Sequence, residues 1–230
     1  MAKVTPLKKQ VTQPETESVV ITPPRLRYGT VMIRGTAPYI QNRFSSENRE
    51  KMVAQQQAGS SSKKTKRAKP AKDFEKVFRG SAHVSQEGWY GIPATALRNA
   101  MIDACRLTEI DMIRAKMCVF IIPDGLDKEN LEPLVRINGE PMMHLDRVKV
   151  GINSTDIAAR AMFTEWSAKV RLRWDAGFFS ASDVLNLLAR AGWQVGIGAG
   201  RPLSKMSAGT GKGTFEVEGM EDVRDEENKK

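Results

Sequence analysis

His83 and His144 are the side chains of this 230-residue chain whose ordinary pKa lets them take up and release a proton near neutral pH. A general base and acid of that kind, set beside a 2′-hydroxyl, cleave RNA without a metal. His83 lies in GSAHVSQEG and His144 in MMHLDRVKV, so a cleaving pair stays open, although a lone histidine in a loop or strand is more often structural. Little other catalytic chemistry is legible. Asp103, Asp111, Asp124, Asp146, Asp156 and Asp175 are scattered without a metal-ligand pattern, Cys105 and Cys118 match no ligand spacing, and no serine nucleophile elbow occurs. The expectation is no metal and no cofactor, with enzyme activity only if the histidines supply it.

Between Val195 and Val217 the sequence is glycine-rich, with glycines at 196, 198, 200, 209, 211 and 213. Such a loop lets the backbone come close to a bulky partner, at Gly198, Gly200 and Gly211 for instance, and lets amides turn toward an anion. Arg201, Lys205 and Lys212 supply positive charge. The fragment GTGKGT looks like a nucleotide phosphate loop, but Met206 stands where its first glycine is required, Gly213 follows Lys212, and TFEVE alternates as a strand. A nucleotide triphosphatase is therefore not expected. The structural alternative is a glycine-rich hairpin without a ligand.

The charge is uneven. Lys and Arg number 36 against 27 Asp and Glu, a net +9. KKTKRAKPAK carries Lys63, Lys64, Lys66, Arg67, Lys69 and Lys72 with no acid, whereas the last fifteen residues are net −4, leaving +13 for the remainder. Such a balance favours a polyanionic partner, nucleic acid before anionic membrane. The basic run can also be a solvated loop, and the acidic end reads as a disordered, solubilising tail. No stretch approaches 18 apolar residues, the first residues lack the apolar run of a secretory signal, and two cysteines make no disulfide framework. A reduced, cytoplasmic protein without membrane contact is expected.

The elements that must position these residues follow from periodicity. Residues 1 to 27, with Pro6, Pro14, Pro23 and Pro24, read as an extended arm, and YGTVMIR as a first strand ending at Gly35. Residues 44 to 79 read as a flexible basic insertion, with a short helix at 48 to 57. Leu97, Met101, Ala104 and Cys105 mark an amphipathic helix after Pro93. KMCVFIIP reads as a buried strand; PLVRI and MMHLDRVKV as a hairpin around Asn138-Gly139; AARAMFTEW and SAKVRLRWD as a strand pair. Ser180 caps a helix that Gly192 stops, WQVGI reads as a strand, and GTFEVEG as the last one. The predicted fold is α+β, an elaborated ferredoxin-like (RRM-like) core over 28 to 220 with a glycine-rich C-terminal loop, followed by an acidic tail at 221 to 230.

GWYGIPATALRNAMIDACR resembles the helix start of the repeat-associated mysterious protein (RAMP) superfamily, the RNA-binding subunits of CRISPR effector complexes, whose pattern is roughly I-P-G-S-S-x-[KR]-G-A-x-R. Ile92, Pro93, Leu97, Arg98 and Ala100 match and Thr95 replaces Ser, while Ala94, Asn99 and Ile102 depart from it. LLARAGWQVGIGAGRP with GTGKGTFEV is similar to the same family's C-terminal helix, strand and glycine-rich loop. The resemblance implies an RRM-like fold that embraces a single strand, often assembled head to tail along guide RNA. It admits non-catalytic backbone subunits, guide-processing ribonucleases, and phage or mobile-element relatives with another task.

The leading expectation is a non-catalytic module for single-stranded RNA, or single-stranded DNA, that forms a homo-oligomer or joins CRISPR-type subunits. Arg98, Arg201, Lys205, Lys212 and the Lys63 to Lys72 cluster are the phosphate candidates, and Tyr39, Phe44 and Trp89 the stacking or wedging ones. Core packing is the alternative for each aromatic. The other readings are a metal-independent guide-RNA-processing endoribonuclease, and a protein-interaction module that mimics an effector subunit.

Overall fold

The structure, a computed structural model, describes residues 21–59, 71–149, 155–204 and 209–225. In chain order it comprises β1 (Leu26–Gly35), β2 (Tyr39–Ile40), α1 (Ser46–Gln57), α2 (Phe74–Ser81), β3 (Gly91–Pro93), α3 (Ala94–Ala104) and α4 (Met112–Cys118). Then come β4 (Val119–Ile122), β5 (Gly125–Leu126), β6 (Pro133–Asn138), β7 (Met142–Lys149), β8 (Thr155–Phe163), β9 (Ser167–Asp175), α5 (Ala181–Arg190) and β10 (Phe215–Asp225).

β1 alternates, with Val31 and Ile33 buried and Arg34 exposed, and it lies inside the main sheet between β10 and β9. β10 pairs antiparallel with one edge of β1 and β9 with the other; β4 pairs antiparallel with the far edge of β9. The order β10, β1, β9, β4 is that of a strand–helix–strand unit repeated and interleaved: α3 lies between β1 and β4 in sequence, α5 between β9 and β10, and β9 separates β1 from β4. That is the ferredoxin-like arrangement. Both helices cover the same face, α3 through Leu97, Met101 and Ala104 and α5 through Val184, Leu187 and Leu188, against Val31, Val170, Leu172 and Trp174. The other face of β9 carries Lys169, Arg171 and Arg173. A second antiparallel sheet, β2-β8-β7, extends the core, with α2 packed on β8.

Ser180 caps α5 with the capping box that its spacing with Asp183 predicts: the Asp183 amide donates to Ser180 Oγ at 3.1 Å, and the Ser180 amide to Asp183 Oδ2 at 2.9 Å. Gly192 does not stop this helix. The chain continues through a π-helical turn, Ala191–Val195, where a strand is expected, and ends at Gly196 with φ +68°. Gly192 is needed instead for contact, since a Cβ there would sit 2.2 Å from the Phe215 carbonyl oxygen. The turn projects Trp193 into solvent, 78% exposed.

Other expectations change for reasons of packing. PLVRI and MMHLDRVKV form no hairpin: β6 pairs with β3, β5 and β9, while β7 pairs with β8 from Met142↔Met162 to Lys149↔Thr155. β6 buries Leu134, Val135 and Ile137 and belongs in the core sheet. Gly139 docks so tightly that a Cβ would lie 2.6 Å from the Glu165 carbonyl oxygen, and the chain turns there from one sheet to the other. β8 and β9 are both strands but belong to different sheets. Lys116 to Cys118 end α4, which Asp111 caps by accepting the Ile113 amide at 3.0 Å, so the buried strand begins only at Val119. Between residues 44 and 79 the described residues include α1 and α2 at either end, and α2 is anchored where the Ala161 amide donates to Ser81 Oγ at 2.8 Å. Glu221 to Asp225 are not tail but the end of β10, where Asp225 pairs with Arg27 at 2.7 Å. Among the described residues no helix is long and apolar enough to cross a membrane.

Candidate nucleic-acid interface

The chain leaving β2 carries Gln41 and Arg43 inward, and both meet the segment that follows α2. Gln41 donates from Nε2 to the Gly91 carbonyl at 2.8 Å and accepts the His83 backbone amide on Oε1 at 2.8 Å. The Arg43 side chain is 2% exposed and lies 3.4 Å from Asp127 Oδ2, which is fully buried; Glu129 forms a second ion pair with it. Asp127 is the hub. Its Oδ1 accepts the amides of Glu129 and Asn130 at 2.9 and 3.3 Å, which shapes the turn after β5, and its Oδ2 lies 3.2 Å from His83 Nδ1. Glu132 completes the group, accepting from Thr95 Oγ1 at 2.8 Å and lying 3.8 Å from His83 Nδ1.

Burial holds His83 below the ordinary histidine range; Glu132 and Asp127 pull it up and Arg43 pushes it down, but desolvation is the largest effect. Burial thus favours the neutral ring, and in that form the carboxylate of Asp127 favours the proton on Nδ1, which leaves Nε2 as an acceptor. Glu129 is held below the usual carboxylate range by its bond from Arg43.

In front of this group is a cleft of about 410 Å³, walled by Phe44, Arg49, His83, Thr95, Gly198 and Arg201 among others. One wall is the glycine-rich loop, and most of its glycines serve packing. A Cβ on Gly198 would come within 2.4 Å of the Ile40 carbonyl oxygen, and one on Gly213 within 1.8 Å of that of Ile197. Several of the loop's amides are engaged internally: Ile197 donates to Gly213 O, Ala199 to Ile40 O, Thr210 and Lys212 to Gly200 O, and Gly213 to Pro38 O. What the loop offers the cleft is the Arg201 side chain, steadied by donation to Gly198 O at 3.2 Å. Gly200 and Gly211 have φ of +78° and +72°; Gly211 alone of the two has open space beyond it.

The structure thus brings His83, Phe44, Gly198 and Arg201 to one cleft. It does not bring Tyr39, which is 2% exposed and packed against Phe163 and Trp166, its phenol pushed up by burial; its ring is core, not a stacking surface. Arg98 is turned to structural use, donating from Nε to Val119 O at 3.0 Å and to Lys116 O, with its guanidinium 4.8 Å from the Phe120 ring centroid. Trp89 is half-buried against Gly91 and Gly125, its Nε1 donating to Glu87 at 3.0 Å. Lys72 pairs with Asp156 at 2.9 Å. His144 stands opposite Arg160 in the second sheet, outside the group around His83. Lys212 lies half-buried beside Gly200. Lys63, Lys64, Lys66, Arg67, Lys69 and Lys205 lie outside the described residues. Sequence reasoning missed Arg43 and Asp127, which only the fold brings together, and Trp193, hidden by the reading of WQVGI as a strand. Among the described residues no group of His, Cys, Asp and Glu is arranged to hold a metal ion.

No family model and no curated protein matches the chain. Among solved structures, one chain of a Type III-B Cmr-beta complex bound to cognate target RNA is similar at 10% identity and a TM-score of 0.48, over 87% of this chain. The match spans 61% of that chain's own length.

Proposed function

We propose that this protein binds single-stranded nucleic acid, RNA first, as a non-catalytic RAMP-like subunit that assembles along the strand. The observation that carries this reading is the cleft between α3 and the glycine-rich loop, where Arg49 and Arg201 stand with the exposed Phe44 over a rigid back wall. Single-strand binding needs such cations for phosphates and flat groups for bases. The net charge of +9 supplies long-range attraction. With roughly four to six phosphate contacts, log affinity falls against log salt with a slope near −3 to −4. Arg201→Ala costs about 1.5 to 3 kcal/mol of binding if the contact is desolvated. Fluorescence anisotropy with labelled RNA and DNA strands measures both. A slope near zero and no effect of Arg201→Ala would remove the cleft from the interface, and partner capture without affinity for either strand would favour the protein-interaction reading.

One observation favours a second reading, a metal-independent endoribonuclease. His83 is held by Asp127 at 3.2 Å and placed on the cleft wall, and its burial favours the neutral ring, which suits a general base. Cleavage of labelled RNA in the presence of a chelator, abolished by His83→Ala, would establish it; intact RNA over the same interval leaves the binding subunit.

A further inference from the structure

α4 has one buried side and one open side. Ala115 and Cys118 face the core, whereas Ile113 and Met117, one helical turn apart, are 64% and 71% exposed. The helical turn Cys105–Leu107 that follows α3 leaves Leu107 52% exposed, and the loop from β9 to α5 leaves Phe178 59% exposed. These elements adjoin: the turn packs on α4, and the Arg114 guanidinium lies 5.9 Å from the Phe178 ring centroid. Single apolar side chains at a surface are ordinary, but four large ones on adjoining elements mark a contact surface.

The charges beside this patch are ordered along the helix. Glu109 and Asp111 stand at its N-terminal end, Arg114 and Lys116 in its second half, and all four are exposed. Among the described residues, no ion pair joins any of them to another side chain; Asp111 accepts the Ile113 amide, and Arg114 rests over Phe178. Such an arrangement is complementary to itself. When two copies of α4 meet end for end, the acidic end of each faces the basic half of the other, twice over, with Ile113 and Met117 between them; set parallel, like charge would face like. The patch lies at the N-terminal end of α5 and the glycine-rich loop follows its C-terminal end, so a partner seated here leaves the cleft open.

We propose that the α4 patch is a two-fold interface, occupied by the same patch of a second copy of this chain in antiparallel orientation. Charge self-complementarity selects the copy over an unrelated protein, and burial of the four apolar side chains from each side supplies the attraction. A closed pair uses the patch of both copies and cannot grow in series. An interface this small belongs with weak and reversible ones, with a dissociation constant on the order of micromolar.

Sedimentation equilibrium of the full chain, freed of nucleic acid by nuclease treatment, reads the association directly. The wild type is expected to pass from the mass of one chain to that of two as concentration rises, and to stop there. Met117→Glu should raise the dissociation constant about tenfold or more, with an unchanged thermal melt at concentrations where the chain is single. Lys116→Glu should weaken the pair about fivefold, since two exposed ion pairs are lost, and Lys116→Glu combined with Glu109→Lys should regain most of that loss. A chain that stays single up to about 0.5 mM, or a pair indifferent to Met117→Glu, overturns the proposal. A lowered melt in single-chain Met117→Glu also overturns it, by assigning the patch to contacts within the chain. Growth beyond two copies does so too, because a closed interface forbids it.

Discussion

The helix-side cleft and the open sheet face both carry arginines, but their charges are organised in opposite ways. In the cleft, Arg43, His83 and the turn that carries Asp127, Glu129 and Glu132 come from three separate stretches of chain, and at their centre Arg43 and Asp127 are buried and spent on one another. On the sheet, Lys169, Arg171 and Arg173 come from one strand and stay at the surface. The cleft's charges therefore define a shape, whereas on the sheet Lys169 is exposed and Arg171 stays half-exposed beside Asp124. A charge is evidence of binding only after its internal partners are counted.

That contrast breaks most sharply at Asp127. Removing it leaves the buried Arg43 with a single remaining carboxylate, Glu129, and frees the turn amides of Glu129 and Asn130, so Asp127→Ala is expected to cost about 3 to 5 kcal/mol of stability. Denaturant unfolding measures this. A cost under about 1 kcal/mol, the range of an exposed pair, would erase the distinction between the two regions.

The glycine-rich loop gives a second, smaller test within the cleft itself. At Gly213, φ is +68° and a Cβ would lie 1.8 Å from the Ile197 carbonyl oxygen, so Gly213→Ala should destabilise by about 2 to 4 kcal/mol. Gly211, at φ +72° with open space around it, should cost only about 1 to 2 kcal/mol on the same change. Equal thermal melts for the two variants would mean that the loop is not packed as described.

The smallest effect is the pH dependence contributed by His83, which faces Asp127, Glu132 and Arg43. Its folded pKa lies below its unfolded value of 6.5 because burial disfavours the imidazolium. Between the two values the unfolded chain binds more protons, so stability rises with pH through that window. The contribution is complete above about pH 7.5, diminishes as pH falls through 6.5 toward the folded value, and is constant below it. Unfolding in denaturant from about pH 7.5 down to pH 5, where most carboxylates remain ionised, should show this decline in the wild type and a weaker one in His83→Gln. An identical decline in both would assign the titration to other groups.

The parts of the fold that were legible in the sequence are those whose pattern is local. β1 and β9 alternate, α3 and α5 carry apolar stripes, and Ser180 with Asp183 spells its own cap. Errors arose where a local pattern had two tertiary outcomes. PLVRI and MMHLDRVKV flank a good turn pair, but burial sends β6 to the main sheet and β7 to β8. WQVGI has the residue types of a strand, yet the proximity of Phe215 to Gly192 lets α5 run on as a π-helical turn. For the site, the glycine-rich loop and Arg201 were visible, whereas the use of the glycines was not, since close packing and an anion nest call for the same residue. The group around Asp127 left no trace, because its members meet only after folding. The basic row of β9 was in plain view as an alternation, read for the strand it makes and not for the face it charges.

The central place of β1 bears on how the chain acquires its structure in time. Both partners of β1 arrive late: β9 begins at residue 167, and Arg27 and Asp225 of β1 and β10 are 198 residues apart. At a synthesis rate of roughly 5 to 20 residues per second, β1 waits ~10 to 40 s for its last neighbour, with both edges open and the apolar face of Val31 and Ile33 uncovered. The sheet cannot close progressively from one end, because an interior strand is made first and both its partners follow much later. Such distant pairing makes folding slow, and the nascent chain exposes this apolar strand throughout that interval.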